Sequence, residues 1–171
     1  MNDLAKTARP ATLDDAPSIL SIFLESVKQT DVKGGINLLS VIDWIDNASD
    51  QYPLWVLEKD DSVIAWCGLE AFYGLPELGG VAEVAIYITA RYQRQGLGAE
   101  LLTLMERHGV DHNRHSLVAY ILSDNHSSLQ FFLRNSFIEW GTLPSVVRSG
   151  GAVSDLKLLG RQLDDVSSET K

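Results

Sequence analysis

Residues 91 to 102, RYQRQGLGAELL, place two arginines, two glutamines and two glycines ahead of an apolar run in a chain that is acidic as a whole. A glycine where a helix begins lets the backbone approach an anion closely. The first N–H groups of a helix have no partner inside it and point outward, and the helix dipole adds about half a positive charge there. Arg94 would add a full charge on a mobile arm. Such a socket suits a pyrophosphate. The same six residues, Gln93 to Gly98, are also compatible with an ordinary turn. The spacing is not Gly-x-Gly-x-x-Gly with a later acidic ribose contact, and no Gly-Lys-Ser/Thr phosphate loop is present.

A socket of this kind needs a strand to bring the chain in and a helix to carry it away. VAEVAIYI, rich in β-branched and aromatic residues, predicts the strand. Gly96 to His108 predicts the helix, with Leu97, Leu101, Leu104 and Met105 on one face. Upstream, ARPATLDDAPSILSIFLESV predicts a short strand and a helix that Thr12 can cap, with Asp15 near its positive end. SVIDWIDNA predicts a second helix, and LWVLEKDDSVIAWCGLEAF a hairpin turning at KDDS. Downstream, SLVAYIL predicts a strand, SSLQFFLRNS a helix capped by Asn125 or Ser127, and FIEWGTL and SDLKLLGRQL the last two strands. This order fits a mixed α/β chain with one mainly antiparallel sheet flanked by helices. Residues 1–163 are expected to form a single domain, with a loose start at 1–6 and a polar tail, DDVSSETK, at 164–171.

The 171 residues carry a formal charge of -9, and 45% are hydrophobic. That is a globular composition, with length enough for one self-supporting core. A net negative chain without a Lys/Arg cluster is not expected to bind nucleic acid. Cys67 is the only cysteine, which excludes an intrachain disulfide and a cysteine-based zinc site, and no metal is expected. No stretch approaches the roughly 20 apolar residues of a membrane span, and MNDLAKTARP lacks an apolar signal segment. The expectation is a soluble, cytoplasmic protein with no membrane partner.

The strand VAIYI, the turn RYQRQGLG and the helix AELLTLMERHG together resemble the acetyl-CoA-binding motif of the GCN5-related N-acetyltransferases. About 30 residues on, ILSDNHSSLQFFLRNSFIEWG is similar to that superfamily's second motif: a strand, Asn-x-x-Ser/Ala, a short helix and a Gly-Phe-like ending. The resemblance covers residues 81 to 141 firmly and the rest of the chain more loosely. It implies a fold of about six to seven strands and about four helices, with acetyl-CoA as cosubstrate. YPLWVLEKDDSVIAW, EVAIYI, GTLP and the strand with SDL resemble most the phosphinothricin and methionine sulfoximine acetyltransferases. That likeness implies a small-molecule amine as acceptor, acetylated on its α-amino group, and a homodimer.

Carried over residue by residue, the resemblance implies that the backbone of Ile86, Tyr87 and Ile88 binds the pantetheine arm. It implies that N–H groups of Arg94, Gln95, Gly96, Leu97, Gly98 and Ala99 hold the pyrophosphate, so that a side chain at Gly98 would push it away. Asn125 and Ser128 match the pair beside the cofactor arm, although Asn125 is equally suited to capping its helix. Glu83 matches the subgroup's general base; an ammonium has no lone pair and must lose a proton before it attacks a thioester. Read alone, Glu83 could be an exposed charge at a strand end.

Four departures stand out. Arg94 replaces a frequent glycine, and Phe132 replaces a tyrosine that protonates the departing thiolate. Ser136 replaces the glycine of the Gly-Phe pair, and the histidines expected within SVVRSGGAVSDL are absent. His108, His112, His115 and His126 are expected on the surface, while Trp44, Trp66, Phe72 and Tyr73 could line an acceptor pocket or belong to the core. Two other functions compete: an acyl-CoA sensor without turnover, and an acetyltransferase for a protein N-terminus or an antibiotic amine.

Overall fold

A computed structural model describes residues 7–27 and 35–163. The start at 1–6, residues 28–34 and the tail at 164–171 lie outside the described residues. Seven strands make one sheet. They are β1 (Arg9–Pro10), β2 (Leu54–Lys59), β3 (Ser62–Ala71), β4 (Val81–Ile88), β5 (Ser116–Leu122), β6 (Ile138–Ser149) and β7 (Ala152–Gln162), in the spatial order β1-β2-β3-β4-β5-β7-β6. Four α-helices flank it: α1 (Ala16–Val27), α2 (Leu38–Asn47), α3 (Leu97–Asp111) and α4 (His126–Arg134). Every ladder is antiparallel except β4 with β5. None of the described helices is long and apolar enough to cross a membrane.

Alternation along the strands divides the core in two. Cys67, Leu69, Ala82, Val84, Leu117 and Ala119 point to one face, where Leu97, Leu101, Leu102 and Met105 of α3 cover them together with Phe132 and Phe137. Trp66, Ala85 and Tyr87 point to the other face, against Ile19, Ile22 and Phe23 of α1 and Val41 and Trp44 of α2. Two devices set the entry of α1. Thr12 donates its backbone N–H to the Asp15 carboxylate at 2.7 Å, and Asp15 accepts from Arg9 of β1 at 2.8 and 2.9 Å. Arg9 also pairs with Glu58 of β2. The Arg9 hydrogen bonds, opposed by burial, hold Asp15 down at a pKa of about 2.

The KDDS turn forms as the residue types require, with Asp60 and Asp61 both at positive φ (51° and 57°). The last hairpin is longer than FIEWGTL and SDLKLLGRQL indicate, because β6 continues through Pro144 to Ser149 before turning at Gly150 and Gly151. A register shift between Leu143 and Val147 takes up the proline. Ser145 there adopts φ 55° and donates its N–H to Asp155 at 2.8 Å. A bulged edge strand tolerates proline where a central one does not.

Candidate active site

Parallel pairing of β4 with β5 is short: Val81 with Ser116, Ala82 with Leu117 and Glu83 with Val118. Beyond that point β4 runs on to Ile88 in register with β3, and β5 runs on to Leu122 in register with β7. The two strands therefore fork immediately after Glu83. From Val84 to Ile88 and from Ala119 to Leu122 no ladder joins the facing edges. Backbone N–H and C=O groups along such an edge want partners, and an extended chain carrying amides can supply them. Ile86, Tyr87 and Ile88 lie on this open stretch.

The fork ends on the start of α3. Gly96 is the residue before the helix and takes φ 86°, a left-handed conformation that favours glycine. The first bond into the helix is Glu100 N–H to Gly96 at 3.3 Å, so Leu97, Gly98 and Ala99 make up the first turn, whose N–H groups have no intrahelical acceptor. The preceding turn is braced from three sides. Gln93 donates its amide to the Ile88 carbonyl at 2.8 Å, and Gln95 donates to the Arg91 carbonyl at 3.0 Å. Glu25 at the end of α1 accepts from the Thr89 hydroxyl at 2.9 Å and the Ala90 N–H at 3.1 Å. Lys59 and Arg91 both lie against the Tyr92 ring, at 5.1 and 5.7 Å from its centre, and Arg94 follows at φ 59°. Cations and free helix N–H groups gather at one place in an acidic chain. The residues present fit a pyrophosphate on the turn and an amide-bearing arm along β4.

Gly98 carries a constraint of a different origin from the expected one. A Cβ built there would stand 2.9 Å from the Phe131 ring and 3.5 Å from Ile88. It would point inward, into the contact of α3 with α4 and β4, and not outward toward a ligand.

On the opposite face of the sheet, β3 and β4 present three cross-strand pairs in succession: Trp66 with Tyr87, Gly68 with Ala85, and Glu70 with Glu83. The Trp66 and Tyr87 rings stack at 4.4 Å, with Phe23 tilted against Tyr87 at 5.4 Å and Trp44 against Trp66 at 5.8 Å. The small pair in the middle leaves a hollow between the aromatic pair and the acidic pair. It is a cleft of about 370 Å³ lined by Trp44, Tyr52, Trp66, Gly68, Glu70 and Ala85 among others. Trp66 is only 5% exposed, and its indole N–H has no hydrogen-bond acceptor among the described residues. Glu83 is half-buried at the fork, on the strand face that Ala85 presents to the cleft. Burial first, and then the Glu70 carboxylate, lift its pKa to about 7.

Asn125 caps α4, its side-chain oxygen accepting the Ser128 N–H at 3.1 Å, which is the packing half of its two readings. Trp44 and Trp66 line the cleft; Phe72 instead stacks on Tyr120 at 6.3 Å, and Tyr73 is exposed. Phe132 is 7% exposed and packs edge-on against Phe131 and Phe137, at 5.0 and 4.9 Å. The position matched to a thiolate-protonating tyrosine is thus filled by a core ring. His115 and His126 are exposed as expected. His108 and His112 are partly exposed: their rings stack at 4.1 Å, and His108, on α3, lies edge-on to Trp55 of β2 at 5.0 Å. Glu70, Glu25 and Tyr120, a phenol whose pKa is raised by burial and then by the Glu83 charge, were not singled out by the sequence. Only the strand register brings Glu70 opposite Glu83. Among the described residues, no cluster of histidine, cysteine and carboxylate side chains could hold a metal.

A sheet forked at its one parallel ladder, with a glycine turn and helix start at the mouth, defines an acyl-CoA-type transferase fold. The profile of the Acetyltransferase (GNAT) family matches residues 21–137, and the chain belongs to that family. It is an N-acetyltransferase. It is 32% identical over 161 residues to "Putative phosphinothricin acetyltransferase YwnH" of Bacillus subtilis, covering 92% of this chain and 99% of that one. It is 25% identical over 170 residues to the L-methionine sulfoximine/L-methionine sulfone acetyltransferase of Pseudomonas aeruginosa, covering 96% and 99%. Its fold is shared with the crystal structure of a phosphinothricin acetyltransferase from Sinorhizobium meliloti in complex with acetyl-CoA. The TM-score is 0.81 at 21% identity, covering 96% of this chain and 91% of that one.

Proposed function

We propose that this enzyme transfers the acetyl group of acetyl-CoA directly to the α-amino group of a small amino acid or amino-acid analogue, with Glu83 as general base. One observation carries the reading: a glutamate whose pKa is lifted to about 7 stands where β4 and β5 part, beside an aromatic cleft. The cosubstrate supplies an activated acyl carbon and a fair leaving thiolate. The chain supplies the rest. Leu97, Gly98 and Ala99 N–H groups, with Arg94, hold the pyrophosphate; the open edge at Ile86, Tyr87 and Ile88 holds the arm. Asn125 and Ser128 flank that arm. A β4 N–H near Tyr87 donates to the oxygen on which negative charge develops. Glu83 takes the proton that the ammonium must lose, and water returns one to the thiolate, since Phe132 has none to give. The family match, the names of the relatives and the acetyl-CoA held by the Sinorhizobium structure support this reading.

Replacing Glu83 by Gln tests it. The amide keeps size and hydrogen bonding but cannot accept the proton, and loss of a general base typically costs about 10² to 10⁴ in rate. The loss should fall on kcat, leave acetyl-CoA affinity by calorimetry unchanged, and shrink at high pH, where free amine forms unaided. A Glu83→Gln enzyme with near-normal kcat at neutral pH removes Glu83 from the chemistry.

The homodimer is also a proposal, and its support lies at the free edge of the sheet. Ile138, Trp140, Leu143 and Val146 of β6 and Val153 of β7 are all exposed large apolar side chains on the terminal hairpin.

A further inference from the structure

The cleft has chemistry that narrows the acceptor further. From Gly35 to Ala90 the chain carries one cationic side chain, Lys59, against nine carboxylates and no histidine; from outside that stretch Arg114 reaches the Tyr52 ring, 4.6 Å from its centre, without lining the cleft itself. That stretch supplies α2, β2, β3, β4 and the residues around the cleft. Lys59 lies against Tyr92 at the cofactor turn and is absent from the cleft lining. Among the described lining residues the only charged one is Glu70, and it faces Glu83 across the ladder. The donors in its lining are neutral side chains, Asn47, Tyr52 and Trp66, and the buried Trp66 indole N–H has no acceptor among the described residues. An ammonium entering this region is drawn to two carboxylates. In a free amino acid, however, a third carboxylate sits on the carbon next to the amine and must travel with it. Like charges brought together in a low-dielectric cleft are strongly unfavourable.

We propose that the preferred acceptor is a primary amine whose carboxyl group is masked or absent, the amide or decarboxylated amine of an apolar amino acid, and that Glu70 is the residue that selects it. This rests on the reading that the amine is deprotonated at Glu83. An amide carbonyl is a match for the Trp66 N–H, and an apolar side chain fits against Trp44, Tyr52 and Trp66.

Three acceptors with one side chain test the selection: L-methionine, L-methioninamide and 3-(methylsulfanyl)propylamine. Each is offered to the full chain with saturating acetyl-CoA, and thiol release gives kcat and KM. The decarboxylated amine is more basic than free methionine, so a shared preference for both cannot come from a larger fraction of free amine. Both should exceed free methionine in kcat/KM by about tenfold or more. Glu70→Gln should narrow that ratio through a lower KM for methionine, measured against the amide and the amine with the same variant. Free methionine equal to or better than the other two overturns the inference and leaves amine acetylation intact. A ratio unmoved by Glu70→Gln overturns the role of Glu70. No thiol release from any of the three, in a chain that still binds acetyl-CoA, overturns the amino-acid-type acetylation itself and this selection with it.

Discussion

Glu83 is held by its surroundings at a pKa of about 7, so the base that frees the amine is half formed near neutrality. Under the proposed mechanism kcat/KM rises with pH through an acid limb near 7, and Glu83→Gln abolishes that limb. Stability runs the opposite way. Glu83 binds its proton more tightly folded than unfolded, so its contribution is full in acid and is lost as pH rises from the ordinary glutamate range through about 7. Glu83→Gln should therefore raise Tm at pH 8 and leave it nearly unchanged at pH 4.5; equal shifts at both would show that burial and not charge governs the site. Two departures from the family pattern acquire a physical meaning at this scale. Arg94 and Ser136 both stand where glycine is usual, and both adopt glycine's left-handed backbone, at φ 59° and 66°. Around Ser136 the helix end is complete, with Phe137 N–H to the Phe132 carbonyl at 3.1 Å and Ser136 N–H to Leu133 at 3.3 Å. Ser136→Gly should thus stabilise the protein by about 1 kcal/mol in urea unfolding. The sequence showed that these residues depart from the pattern, while the backbone that the departures must adopt was legible only in three dimensions.

Among the elements, the start of α3 is fixed by contact as much as by any ligand. Because a Cβ at residue 98 meets Phe131, Gly98→Ala should cost about 1–3 kcal/mol through overpacking, and Gly98→Val should also weaken acetyl-CoA binding by about tenfold or more. Phe131→Ala added to Gly98→Ala should restore part of the lost stability. If the double variant loses the sum of both effects, the constraint does not lie between α3 and α4. Elsewhere Arg9 joins β1, β2 and the entry of α1 through Asp15 and Glu58. Asp15 is buried at 6% exposure and keeps its Thr12 hydrogen bonds when the partly exposed Arg9 is lost, so Arg9→Ala should cost about 1–2 kcal/mol. The stabilisation that Asp15 gives is present above the ordinary aspartate range and is lost as pH falls toward about 2. The strand, turn and helix around Gly96 were legible because periodicity and glycine spacing are local. The pairing of Glu70 with Glu83 was not, since register between strands is set by the whole β2–β3–β4 meander. Nor was the length of β6, because proline and serine hide a strand that survives by bulging.

Across the whole molecule, charge is segregated. Lys59, Arg91 and Arg94 collect at the mouth of the fork, while the cleft side is acidic. The far edge of the sheet ends in a twelve-residue strand, β6, with apolar side chains in solvent. Lysine at both Ile138 and Val146 should halve the sedimentation mass if this edge joins two chains; an unchanged mass places the dimer elsewhere or excludes it. Cys67 has one more consequence. It lies at 1% exposure in the middle of β3, its thiol pushed up by burial to about 12. The folded enzyme should therefore be inert toward disulfide reagents and unable to trap its own thiol product as a mixed disulfide. A chromogenic disulfide should count none of the protein's sulfur until the sheet opens, and then one equivalent. Read without the acetyl donor, the rate at which that equivalent appears is a clock for global unfolding, on the same reagent that reports turnover.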